Sequence, residues 1–249
     1  MSPNPIVKVL SSIRTHGVQG LLIGGQACIL YGAAEFSRDL DAILLLSPEN
    51  LDRFRTLLGD LDAHVVAVPP FDVRYLDRGH FVHFRCGRGD VSGVRIDVAC
   101  RLRGVAPFGE LWERRRTMTL ADVGVVEVIA LTDLVASKKT QRDKDWVMLR
   151  RLLEVDYFAD RAAPAPGQID FWLCELRTPE LLVALACLNA DRAAELRTAR
   201  PLLTSALADD AAAVERELAA EMERERAADR EYWAPLRREL MELRRGRRP

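Results

Sequence analysis

Through its first 160 residues the chain alternates short apolar runs with amphipathic stretches; beyond RAAPAPGQ at 161–168 every segment has helical periodicity. Alternation of that kind predicts an α/β fold, because a sheet hydrophobic on its faces has to be covered by helices. The Pro- and Ala-rich stretch is a composition break, so we expect one domain over 1–160 and an all-helical C-terminal region over 161–249. Apolar residues make up 49% of the 249 and charged residues 29%, which excludes a disordered or collagenous chain. With 36 basic and 37 acidic side chains the net charge is −1. That balance argues against a bulk basic nucleic-acid coat and leaves room only for a local patch.

The elements can be placed coarsely. Helices are expected over Pro5–His16, Gly25–Tyr31, Phe108–Arg115, Arg142–Tyr157 and roughly Asp210–Leu243. Ser47-Pro48 reads as a capped helix start running to Leu61, Thr132 as the cap of a helix to Lys139, and Thr178-Pro179 as another start. Strands are expected over Val18–Gly24, Asp39–Leu46, His64–Val68, Phe81–Cys86 and Val94–Cys100, with a hairpin across Thr117–Ile129. Met1–Pro5 carries no basic leader, and the apolar stretch Leu21–Ala34 is too short to span a bilayer. A cytoplasmic protein with no membrane partner is therefore expected. The five cysteines are scattered and odd in number, and read as buried apolar groups in a reducing compartment.

The chemistry gathers at Asp39-Leu40-Asp41. Two further D-x-D pairs occur, at 60/62 and 143/145, so spacing alone means little. This pair differs because the uncharged run Ala42–Leu46 follows at once, making it the opening of a strand buried on both faces. Alternation puts Asp39 and Asp41 on one face and Leu40 on the other. Two carboxylates so placed repel unless a cation lies between them, and a hard divalent ion, Mg²⁺ or Mn²⁺, suits them. Asp97, in the middle of VRIDVAC, needs a partner too. It could pair with Arg95 or Arg101, or act as third carboxylate of the same metal site.

Gly24-Gly25 after a strand, a short helix, Ser37-x-Asp39-x-Asp41 opening a strand and a lone acid on a later strand resemble the nucleotidyltransferase superfamily. The resemblance is to its minimal AbiEii-like branch, found in type IV toxin–antitoxin systems, and covers roughly residues 18–155. It implies a nucleotidyltransferase-type mixed β-sheet flanked by helices. It also implies Asp39, Asp41 and Asp97 as catalytic metal ligands, and Gly24, Gly25, Ser37 and Arg38 at the triphosphate of an NTP. Two metals would clamp an in-line displacement at phosphorus, and small residues would let backbone N–H groups approach the phosphates. Glu35 stands where the family often has Arg, with Arg38 beside Asp39 instead.

Only four of the 36 basic residues are lysines, and Lys138, Lys139 and Lys144 fall close together. By the resemblance they hold nucleotide phosphates, although a solvated basic loop would look the same. Asp145 shares a helical stripe with Met148, Leu149 and Leu152 and so faces the core. Two roles are open to it: orienting a substrate hydroxyl as a general base, or capping the helix against its dipole. His80 and His83 flank a strand and read as surface or hydrogen-bonded histidines, the alternative being that they line a pocket with Arg74 and Arg78. The C-terminal LRRGRRP would meet RNA phosphates or a partner protein. No G-x-S-x-G, Walker A or G-x-G-x-x-G motif is present. A haloacid-dehalogenase-type phosphatase also uses D-x-D, but there the pair follows its strand.

The expected activity is transfer of NMP from an NTP to an acceptor hydroxyl on tRNA or other RNA, protein or a small molecule. The alternative is a catalytically silent module of the same fold, serving as a binding or regulatory component with a cognate protein partner.

Overall fold

The computed structural model of the chain describes residues 4–246. The elements run α1 (Pro5–Thr15), β1 (Gly20–Leu22), α2 (Gly24–Leu30), β2 (Asp39–Leu44), α3 (Pro48–Asp60), β3 (Ala63–Val65), α4 (Val73–Asp77), β4 (Val82–Cys86), β5 (Arg95–Ala99), α5 (Phe108–Glu113), β6 (Arg116–Leu120), β7 (Gly124–Val128) and α6 (Leu131–Ser137). Six helices follow: α7 (Asp143–Asp160), α8 (Gln168–Glu175), α9 (Pro179–Leu188), α10 (Ala190–Leu196), α11 (Leu203–Leu207) and α12 (Ala211–Arg245). These residues form two compact units. One comprises the chain up to Leu30, Ala34–Ser137 and the stretch from Glu231; the other comprises Tyr31–Ala33 and Lys138–Arg230.

The first unit is built on a seven-stranded mixed sheet in the order β3-β4-β5-β2-β1-β7-β6. The pairs β2–β5 and β1–β7 are parallel, and the other four are antiparallel. β2 lies near the centre, and Ala42, Ile43 and Leu44 are all buried, as a strand covered on both faces requires. On one face Leu40, Ala42, Leu44, Ile96 and Val98 look towards α1 and α3, where Phe54 meets Phe84 edge-to-face at 5.7 Å. On the other, the alternation brings Asp39, Asp41, Arg95 and Asp97 together. Ser47 caps α3 as expected, its Oγ accepting from the Asn50 N–H at 3.2 Å with Pro48 in the first turn. Asn50 is fully buried and bridges to Gln19 and Leu45, tying α3 to the end of β1 and β2.

The end of α12 joins this unit from Glu231. His80, 1% exposed, meets Glu239 through Nε2 at 2.6 Å, and Arg78 pairs with the same carboxylate. Phe81 packs against Trp233. His80 and Arg78 therefore hold α12, and Arg74 pairs with its neighbour Asp72. His80 is thus a hydrogen-bonded histidine, the first of the two readings, and the alternative of a pocket shared with Arg74 and Arg78 does not hold.

In the second unit Leu149, Leu153, Trp172, Leu173, Leu182 and Leu203 form the core. Trp172 stacks edge-to-face on Tyr157 at 5.1 Å and donates its indole N–H to Asp156 at 2.7 Å. Arg200, almost fully buried, donates to the carbonyls of Leu173 and Leu176 and so closes the end of α8. The stretch at 161–167 is a loop between α7 and α8 inside this unit, because the two helices share that aromatic contact across it.

Local readings also change. Thr132 is inside α6, which starts at Leu131, so it is not the cap. Thr178 precedes α9, but its hydroxyl bonds Glu154 and Arg150 rather than the helix N–H groups. Cys28, Cys86 and Cys100 are buried, Cys174 is half-buried and Cys187 is exposed, so the last is not the core group expected. Burial, reinforced by Asp77, pushes the Cys100 thiol up to about 12, which leaves it inert. Among the described residues no helix is long and apolar enough to cross a membrane. The last residues of LRRGRRP, 247–249, lie outside the described residues.

Candidate functional site

Gly24 opens α2 directly after β1, with φ +60, a conformation that side chains with a Cβ resist. The position is closed to larger residues for a second reason. A Cβ on Gly24 would fall 2.0 Å from Asp41 Oδ2, and one on Gly25 would fall 2.4 Å from Ser37 Oγ. The Gly25 N–H points to Asp41 Oδ2 at 3.4 Å, and that acid is itself half-buried. The Gly-Gly turn, Ser37 and Asp41 thus come together as a single corner.

A residue that the sequence reading passed over builds this corner. Gln26 is buried on α2, and its side-chain amide donates to the carbonyls of both Ser37 and Asp39 at 3.2 Å. The Ser37 hydroxyl donates to the same Asp39 carbonyl at 3.1 Å. The loop leading into β2 is therefore fastened from two sides, and Asp39 enters the sheet at a fixed register. A buried amide one turn into a short helix is a signal that could have been followed, since buried polar groups require partners. Arg38, beside Asp39, is exposed, with its guanidinium 5.8 Å from the ring of the exposed Phe36.

Asp41 and Asp97 are register partners across the parallel pair β2–β5, and Asp39 pairs with Arg95 one step back. Residues so paired point to the same side, so three carboxylates and one guanidinium share a patch on the face opposite Leu40 and Ala42. Arg95 donates through Nε to Asp97 Oδ1 at 2.7 Å. The hydrogen bond to Asp97, together with the negative charges of Asp97, Asp39 and Asp41, holds the Arg95 pKa above its ordinary value. His83, across on β4, brings Nδ1 to 2.8 Å from Asp97 Oδ1 and 3.0 Å from Arg95 Nη2. One ring nitrogen cannot both accept from Arg95 and donate to Asp97, so the tautomer selects between them. Of the two partners weighed for Asp97, the first, Arg95, is the one it has; Arg101 pairs with Asp77.

Hard carboxylate oxygens on one sheet face, with a glycine turn pressed against one of them, are the donor set a Mg²⁺ or Mn²⁺ ion takes. Among the described residues, however, no three His, Cys, Asp or Glu side chains are gathered as they would be around an ion. The positive charge among these acids is that of Arg95. The residue types therefore fit a divalent ion, and the present rotamers serve an arginine.

Lys138, Lys139, Lys144 and Asp145 belong to the second unit. Asp145 is 2% exposed and accepts from Lys138 at 3.2 Å, from Thr140 at 2.7 Å and from Arg142 at 2.7 Å. Burial would raise its pKa, but Lys138, the Thr140 hydroxyl and Arg142 outweigh it, and the carboxyl lies below its usual range. A carboxylate so depressed and so fully engaged is a poor base. It sits in the first turn of α7, facing the helix dipole, and its three bonds go to the side chains of the 138–142 connection, which it anchors, rather than to the helix N–H groups. Lys139 meets Glu175 at 2.7 Å, while Lys144, one position before Asp145 on α7, is not part of that pairing.

Comparison of the sequence with protein-family models and with curated proteins finds no match. Among solved structures the chain is similar to JHP933 from Helicobacter pylori, at 14% identity and a TM-score of 0.39, covering 87% of this chain and 91% of that one. It is also similar to the antibiotic-resistance factor ANT(2'')-Ia, at 15% identity and a TM-score of 0.35, covering 82% and 94%. A third is a candidate nucleotidyltransferase from H. pylori, at 14% identity and a TM-score of 0.38, covering 88% and 94%.

Proposed function

We propose that the chain is a nucleotidyltransferase that moves NMP from an NTP to an acceptor hydroxyl. The observation that carries this reading is the patch on β2 and β5. Asp39 and Asp41 share a face, Asp97 stands opposite Asp41 in parallel register, and the Gly24-Gly25 backbone closes on Asp41 and Ser37. Asp39, Asp41 and Asp97 would hold Mg²⁺ or Mn²⁺, which when bound supplies charge neutralisation at a transferring phosphoryl group. The chain's own part is positioning. Gln26 and Ser37 fix the loop before β2, the glycine turn leaves room for phosphate against its N–H groups, and Arg38 offers a cation to the triphosphate. The acceptor oxygen bonds to the α-phosphorus as the bond to pyrophosphate breaks, and the hydroxyl proton passes to solvent.

The AbiEii-like relationship, an RNA or tRNA acceptor and a cognate protein partner belong to the same proposal. Incubation with each α-labelled NTP, Mg²⁺ and tRNA, protein or small-molecule acceptors is expected to give label transfer that Asp39→Asn abolishes. Transfer that survives Asp39→Asn would contradict the assignment.

One observation favours a second reading, a silent module that binds and does not turn over. Arg95 already places one positive charge among the three acids, hydrogen-bonded to Asp97, as a cation supplied by the protein itself. NTP binding that needs no divalent ion, with no transfer to any acceptor, would decide for it.

A further inference from the structure

The register that sets Asp97 opposite Asp41 continues one strand further. In the antiparallel pair β4–β5, Asp97 stands opposite His83, so Asp41, Asp97 and His83 form one row across β2, β5 and β4. Asp39, Arg95 and Arg85 form the next row. Side chains in register on neighbouring strands share a face, so His83 belongs to the carboxylate side of the sheet. Its side chain is half-buried there rather than sealed.

A cation faces the ring. Asp97 Oδ1 lies 2.7 Å from Arg95 Nε and 2.8 Å from His83 Nδ1, and Arg95 Nη2 lies 3.0 Å from the same Nδ1. A guanidinium only donates, so Nδ1 turns its lone pair to Nη2. Asp97 Oδ1 and His83 Nδ1 are then two acceptors in close contact with no proton between them, held together by the positive charge that both address. Two ligands about 2.1 Å from one divalent ion and at right angles to each other lie about 3.0 Å apart. The 2.8 Å between Oδ1 and Nδ1 is close to that edge. The fork of Arg95 thus stands where an ion would find one oxygen and one imidazole nitrogen, with Asp41 next in the row. The nitrogen bears on which ion binds: Mg²⁺ takes oxygen ligands, whereas imidazole suits first-row transition ions.

We propose that His83 is a further ligand of the ion at Asp39, Asp41 and Asp97, through Nδ1, and that it makes the site select a divalent transition ion over Mg²⁺. The inference rests on the metal-site reading given under the proposed function. The test is calorimetric titration of the whole protein with Co²⁺ and with Mg²⁺, beside His83→Asn, His83→Ala and the Asp39→Asn/Asp41→Asn variant. Asn carries an amide atom near the place of Nδ1, so it can still hydrogen-bond Asp97 but offers no imidazole. The parent is expected to bind Co²⁺ about a hundredfold more tightly than Mg²⁺. Both His83 variants are expected to weaken Co²⁺ about a hundredfold and to change Mg²⁺ by less than about threefold. Electron spin-echo modulation of the Mn²⁺-loaded parent is expected to show a directly bound ¹⁴N that both variants lack. A histidine that only positions Asp97 would weaken both ions alike in His83→Ala and be rescued in His83→Asn, and that result overturns the proposal. So does Co²⁺ affinity indifferent to His83→Ala. Binding of both ions unchanged in Asp39→Asn/Asp41→Asn overturns the metal site itself, and the role of His83 with it.

Discussion

Gly17 and Gly24 have nearly the same backbone conformation, φ +61 and +60, but unlike surroundings. Nothing lies near a Cβ on Gly17, whereas one on Gly24 collides with the Asp41 carboxylate. Gly17→Ala therefore bears conformational strain alone, about 1 kcal/mol, and Gly24→Ala adds the displacement of Asp41 for about 3 kcal/mol in total. Urea denaturation of the two variants measures the difference, and equal losses would mean that Asp41 is free to move. Arg95 makes a second prediction at this scale. Arg95→Met leaves three carboxylates on one face with no counter-charge, so it is expected to unfold at lower temperature than the parent in EDTA. Mg²⁺ is expected to recover more stability in the variant than in the parent, because the ion then has no competitor. Identical Mg²⁺ responses would remove Arg95 from that role.

Among the elements, α7 is held at its start by Asp145 and its three partners. Its folded pKa lies below the unfolded value of about 3.9, so its stabilisation is full above that value and is lost as pH falls through the folded one. Asp145→Asn leaves the half-buried Lys138 without its carboxylate and is expected to cost about 3 kcal/mol at pH 7. The gap to the parent should narrow as the pH falls below about 4. A gap constant from pH 7 to 3 would show that the carboxylate gains nothing from these partners. Legibility at this scale follows the reach of the signal. α3 is readable because Ser47-Pro48 is a local cap, and β2 because its burial on both faces shows as an uninterrupted apolar run. The start of α6 is misread at Thr132, whose cap-like chemistry sits one residue inside the helix. α4 is five residues long and gives no periodicity to read.

The whole molecule joins features that lie far apart in sequence, and this sets what could be read in advance. Asp39, Asp41 and Asp97 were visible as candidates because carboxylates in apolar strands are costly. Their partner was not, since Arg95 and a divalent ion answer the same need and differ only in side-chain placement. His80 is readable as a hydrogen-bonded histidine, but its partner is not, because Glu239 reaches it from 159 residues further on, a contact that no local pattern encodes. The amphipathic pattern of the charged C-terminal helix shows α12 itself, though not which of its acids meets a buried histidine.

The central claim is that the patch around Asp39, Asp41 and Asp97 takes a nucleotide with a divalent ion. Thermal unfolding with each of the four NTPs, with and without Mg²⁺, tests it most directly, beside the Asp39→Asn/Asp41→Asn variant. The account predicts a rise in midpoint for at least one NTP that requires Mg²⁺ and disappears in the variant. A shift that persists in the variant, or none with any nucleotide, would contradict it.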